Sequence, residues 1–162
     1  MTLRKVNILD RIGSLIPGYS GYAIRDAQRL SDKLLREKIA NRLEEVENTI
    51  NSLQKAAARG EVEIDLMILE ELRKGCSALC SKIRHAAYGA SALFDREQIK
   101  ENELQEIHQL DELVLVQAEH LVLITKQDQE VNFLSAAMRS KLKAVEKAFN
   151  DRSNFIQFRE GV

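Results

Sequence analysis

A chain of 162 residues is about one domain, long enough to bury a core without metal or disulfide. With 24 basic against 25 acidic residues, no global field calls for nucleic acid or an acidic membrane. One proline, seven glycines and no tryptophan suit an all-helical chain with few turns.

Residues 3–16 read as a short amphipathic lead-in, with Val6, Leu9, Ile12 and Ile16 near one face. It must stop by Ile16, because a residue before proline is pushed out of the helical region. Ile16-Pro17-Gly18-Tyr19-Ser20-Gly21-Tyr22 follows, holding the only proline and two of the three tyrosines. Proline fixes one backbone angle, and Gly18 and Gly21 permit turns that side chains forbid. Two uses of the tyrosines stay open. They staple the lead-in to the next helix, or they form an exposed aromatic patch for a partner. Pro17, Gly18, Tyr19, Gly21 and Tyr22 are therefore the candidate interaction turn.

The first long helix is expected over 22–59, with a stripe of Ala27, Ser31, Leu35, Ile39, Leu43, Val46, Ile50, Leu53 and Ala57. Gly60 closes it as a C-cap. The second is expected over 64–88, with Leu69, Leu72, Cys76, Leu79, Ile83 and Ala86 in line. Gly75, beside that seam, is expected to let another backbone come close. The third has two candidate starts, Asp95 with Gln98 and Asn102 with Gln105, each a capping-box pattern. Residues 113–124 are apolar on almost every face, which places them centrally in a bundle or in a subunit interface. A fourth helix is expected over 129–152. No glycine or proline marks the break at Lys126-Gln127-Asp128, so one continuous helix through it stays open. Phe155, Ile156 and Phe158 imply that the tail docks.

These segments describe one all-α domain over 1–162: a lead-in and turn over 1–21, then an antiparallel bundle of about four helices over 22–162. At about 1.5 Å per residue the first helix is about 55 Å long and the others nearer 36 Å. Part of it then lacks a partner within the chain. Charge is uneven along the sequence: 11 basic against 7 acidic over 1–60, 7 against 15 over 61–130, and 6 against 3 over 131–162. Basic ends flanking an acidic middle favour packing between them, or self-association.

No long uncharged apolar run spans a membrane, and the first residues lack the apolar core of a signal peptide. Cys76 and Cys80, one turn apart on a helix, do not meet disulfide geometry. The expectation is a cytoplasmic chain with reduced, buried thiols.

Catalytic patterns fail one by one. A di-iron bundle needs Glu three residues before His, but Gln105 and Gln117 precede His108 and His120, and Lys82 precedes His85. These histidines read as exposed or partly packed. Cys76 and Cys80 have no second pair to complete a soft-metal site. No phosphate loop, nucleophile elbow or zinc-protease helix is present. Arg25, Arg29, Lys33, Arg36 and Arg42 are interleaved with Asp26, Asp32 and Glu37, a solvated face rather than a phosphate track. Asp111 falls in line with Ile107 and Val114, where an apolar residue is expected, so a buried carboxylate there needs a partner. Arg84, Lys82 or the Tyr88 hydroxyl are at hand on the second helix. Asp111 with Arg84 is the candidate buried polar pair, unless the helix is rotated and Asp111 exposed.

The order of features resembles an uncharacterised group of bacterial helical proteins. Those proteins open with a short apolar helix and a Pro-Gly-Tyr-x-Gly-Tyr turn, continue with a long charged helix, and carry a Tyr-Gly segment ending near Phe-Asp. The matching residues are Pro17, Gly18, Tyr19, Gly21 and Tyr22, then Arg29, Asp32 and Arg36, then Tyr88, Gly89, Phe94 and Asp95. The resemblance implies the architecture and no activity. An amphipathic lead-in before a coiled coil is also similar to the phage-shock membrane-stress family.

The reading is a non-enzymatic protein-interaction or scaffold module that self-associates, with no cofactor, metal or nucleic acid. The alternative is a peripheral membrane protein using residues 2–16 as an interfacial helix, weak without avidity. A bundle enzyme comes third.

Overall fold

A computed structural model describes residues 6–87, 93–94, 98–127 and 130–158, the Val131 side chain excepted. Among them lie five α-helices and no strand: α1 (Ile8–Leu15), α2 (Arg25–Ala58), α3 (Leu66–Arg84), α4 (Glu101–Thr125) and α5 (Val131–Phe158). The lead-in is thus a helix in its own right, making five rather than four. No helix among the described residues is long and apolar enough to cross a membrane.

Each boundary has a local cause. Asn7 caps α1, its Oδ1 accepting from Asp10 N at 2.9 Å, and Pro17 holds Ile16 in an extended conformation that ends the helix. The α2 terminus is the expected glycine cap. Gly60 turns at φ +74°, Gly60 N donates to Ala57 O, and Glu61 N donates to Ala56 O. Asp65 caps α3 by accepting from Met67 N at 2.8 Å.

The third helix starts at neither Asn102 nor Asp95. Lys100 holds the N-cap position, and Glu103, three residues on, reaches back to accept from Lys100 N at 3.0 Å. Asp95 lies outside the described residues. α4 ends at Thr125, so the chain does break before α5. α5 runs six residues past the expected end, because Phe155 and Ile156 stay buried to its last turn.

Cross-links fix the arrangement. From α2 to α3, Gln54 meets Glu70, Glu47 meets Arg73, Ala40 O accepts from Cys80 Sγ, and Glu44 meets Arg84. From Gln54 through Glu47 to Ala40 the α2 numbers fall as the α3 numbers rise. From α4 to α5, Gln117 meets Lys141 and Asp111 meets Arg152, again in opposite order. From α2 to α4, Arg42 meets Glu119 and Glu45 meets Lys126, in the same order. α3 and α5 also share a face, where Glu71 meets Arg139 and Lys82 meets Asn150. α1 packs on α4, through Arg11 and Glu112.

The α2 stripe is buried from Ser31 to Ile50, while Ala27, Leu53 and Ala57 at its ends are half-buried. Its overhang is shorter than length alone implies, because Ile64 and Ile68 pack back against the core beside Leu53. Gly75 faces Leu142: a Cβ there would lie 3.0 Å from Leu142 Cδ2, so the close neighbour is a side chain and not a backbone. Cys76 and Cys80 are buried and unbridged. Burial pushes the Cys76 thiol up to about 12 and raises that of Cys80 as well.

Candidate functional site

The starts of α2 and α4 and the ends of α3 and α5 meet at one end of the bundle, where the Pro17–Tyr22 turn folds over them. Gly18 and Gly21 take φ +90° and +78°, which only glycine adopts without strain. Tyr19 N donates to Ile16 O at 3.1 Å, and Ser20 N donates to Ser31 Oγ at 3.3 Å, tying the turn to α2. With its backbone held so, the turn drives both tyrosine rings inward. Tyr19 and Tyr22 stand edge to face at 6.1 Å, and Tyr22 is sandwiched between Phe94 at 5.3 Å and His108 at 5.7 Å.

Beneath the rings lies a buried charged cluster. Tyr19 and Tyr22 hydroxyls donate to Asp111 Oδ2 at 2.7 and 2.5 Å. Arg152 Nε donates to Asp111 Oδ1, and Arg152 Nη2 donates to Tyr22 OH at 2.9 Å and to Asp32 Oδ1 at 2.7 Å. Asp32 Oδ2 accepts from Arg36 Nε at 2.9 Å. Arg36 Nη1 then donates to the Arg84 carbonyl at 3.1 Å, at the end of α3. Gln28 Nε2 donates to Tyr22 O, and Tyr22 N donates to His108 Nε2 at 3.3 Å. Two carboxylates face two guanidiniums, so the cluster is neutral. No buried side-chain nitrogen or oxygen among the described residues lacks a partner. That is the condition under which buried charge is tolerated.

Electrostatics follow from the burial. Both phenols are pushed far above their ordinary range, first by burial and then by the Asp111 carboxylate, so both hydroxyls stay neutral and keep the proton they donate to Asp111. Burial lowers His108, against weaker pulls from Asp111 and Glu101. Asp111 and Arg152 are 0% exposed, so neither reaches a molecule in solvent. The cluster clamps the turn, α2, α4, α5 and the end of α3 to one another.

One sequence expectation needs correction here, and one of the two uses left open for the turn closes. Asp111 is buried as foreseen, but its cationic partner is Arg152 rather than Arg84. Arg84 lies at the surface on Glu44 and Asn41. The turn also presents no aromatic patch, since Tyr19 and Tyr22 are buried while Pro17 and Gly18 are exposed. Tyr88, Gly89 and Asp95 lie outside the described residues. Sequence reasoning missed Arg152, Asp32, Gln28 and the burial of His108. A signal existed for two of them. Arg152 continues the α5 stripe three residues after Phe149, and Asp32 precedes Leu35 and Ile39 by three and seven. Both are charges at apolar positions, like Asp111.

Elsewhere the surface is informative on α4. Leu113, Val116, His120 and Leu123 share its outward face; Leu113 and Leu123 are 44% and 54% exposed. Val116 joins Val6, Ile12 and Leu15 in an apolar cleft where α1 crosses. Glu112 and Glu119 flank this face and are taken up by Arg11 and Arg42. Among the described residues no group of three or more His, Cys, Asp or Glu side chains is placed to hold a metal ion. Compared with known families, curated proteins and solved structures, the chain gives no significant match to any of them.

Proposed function

We propose that this protein is a non-enzymatic interaction or scaffold module of the cytoplasm, an antiparallel helical bundle that self-associates through the outward face of α4. The observation that carries the reading is the apolar strip of Leu113, Val116 and Leu123, continued by Val6, just before α1, and by Leu15 of α1. A second copy is the occupant that fits. A two-fold contact sets a patch against itself, so any unpaired charge on it would repel its own image. Glu112 and Glu119, which flank the strip on α4, are already neutralised within the chain. The opposite order of contacts between α2 and α3, and between α4 and α5, supports the antiparallel plan.

The membrane alternative asks α1 to offer its apolar face to lipid. Ile12 and Ile16 on that face are buried against the bundle, so an undocking step would have to come first. Sedimentation tests the main reading. The wild type is expected as a dimer or larger, and Leu113→Glu with Leu123→Glu as a folded monomer by circular dichroism. A wild type that stays monomeric at high concentration overturns it.

A further inference from the structure

We propose that His108 is an acid-sensitive fastener between the Pro17–Tyr22 turn and α4, and that protonating its ring loosens residues 8–22 from the bundle. His108 Nε2 lies 3.3 Å from Tyr22 N and accepts a hydrogen bond from it. An accepting imidazole nitrogen carries no proton, so the neutral ring holds its one proton on Nδ1. A second proton therefore goes to Nε2. There it faces the Tyr22 N–H, donor against donor.

The packing leaves the ring little room to retreat. A Cβ built on Gly21 would sit 2.5 Å from His108 Nε2 and 2.9 Å from Leu9 Cδ2, so the ring edge presses against the turn backbone and α1 closes beside it. Yet protons can reach it. His108 lines a cleft of about 490 Å³ with Leu9, Ala23 and Leu104, open between α1 and the first turns of α4.

The surrounding charges offset the second proton only in part, with Asp111 and Glu101 pulling more weakly than burial. On α4 the groups near His108 are Glu101, Asp111 and Glu112. Asp111 is taken by both phenols and Arg152, and Glu112 by Arg11 of α1. From the turn, Tyr22 stacks on the ring with its hydroxyl neutral. Arg152 of α5 and Asp32 of α2 pair with each other behind Tyr22. Burial is the leading influence on the ring and disfavours its cation.

The sign is fixed by that direction. A histidine whose docked form resists protonation leaves docking at full strength above its ordinary pKa of about 6.5 and weakens it as pH falls below. If the docked ring stays neutral, the opening equilibrium of residues 8–22 rises by up to about 30-fold from about pH 7.5 to about pH 5. Ordinary carboxylates titrate near about 4, below this window. His85 and His120 are exposed.

The test is amide hydrogen exchange by mass spectrometry across that window, corrected for intrinsic rate, with the His108 ring followed by NMR. The expected result is a loss of protection confined to residues 8–22, its midpoint matching the His108 titration. In His108→Gln the side-chain oxygen can still accept from Tyr22 N but does not titrate, and protection there should be flat with pH. Unchanged protection of 8–22 in the wild type, or equal acid loss in a folded His108→Gln, overturns the proposal. If that variant fails to fold, the wild type decides alone: a loss whose midpoint departs from the His108 titration overturns it.

Discussion

Arg152 on α5 donates to Asp32 on α2 at 2.7 Å, although the backbones of those two helices do not approach each other among the described residues. One guanidinium thus bridges helices that share no face, and on the way it takes up Asp111 and the Tyr22 hydroxyl. A lysine has no planar fork and cannot reproduce this set of bonds.

Replacing Arg152 with methionine leaves Asp111 and Asp32 buried without their shared cation. Such a break costs about 3–5 kcal/mol. At about 2–4 °C per kcal/mol for a chain of this size, the melting temperature should fall by about 6–20 °C. Adding Asp111→Asn should restore part of the loss, since it removes one stranded charge. Urea unfolding of the two single variants and the double measures the coupling. An Arg152→Met protein as stable as the wild type would contradict the account of the cluster.

Much of this fold is legible in the sequence, and the cluster is only half so. Apolar periodicity marks α2 through Leu35, Ile39, Leu43, Val46 and Ile50, which all reach the core. Periodicity reports a face and not a neighbour. It therefore places Asp111 inside without saying which cation comes to meet it. Arg84 is an attractive partner on paper because basic residues near a helix end are close in sequence to the third helix. The bundle instead puts α3 across the diagonal from α4 and brings α5 alongside. The turn is the same case. Its glycines announce a bend, but the direction in which the tyrosines point depends on Ser31 and His108, which are distant in sequence.

Gly21 and Gly60 separate two costs of adding a Cβ. Both take positive φ, so alanine at either is strained by about 1 kcal/mol. At Gly60 a Cβ meets nothing within 4 Å, and that strain should be the whole effect. At Gly21 it collides with His108 Nε2 and Leu9 Cδ2. Gly21→Ala should therefore lose a further 1–3 kcal/mol, roughly the cost of overpacking. Equal losses for the two variants in urea unfolding would contradict the contact between the turn and α4.

The two tyrosines should part company when each loses only its hydroxyl. Tyr22 OH both donates to Asp111 and accepts from Arg152, whereas Tyr19 OH makes the Asp111 bond. Hydrogen bonds to charged groups are worth about 1.5–3 kcal/mol, so Tyr22→Phe should cost more than Tyr19→Phe. Both act on Asp111 Oδ2, so the double variant should not be additive. Alkaline pH gives the second measure. Burial first, and then Asp111, hold both phenols neutral in the folded state, so their folded pKa lies above the unfolded value. The stabilisation is then complete below about pH 10 and is lost as pH rises past the point where unfolded tyrosine ionises. Wild-type stability should fall steeply from about pH 9 to about pH 11, with phenolate absorbance appearing for these residues only as the protein unfolds. Tyr19→Phe with Tyr22→Phe should fall less steeply over that range. If the double variant keeps the wild-type slope, the two hydroxyls are not held in the cluster as neutral donors.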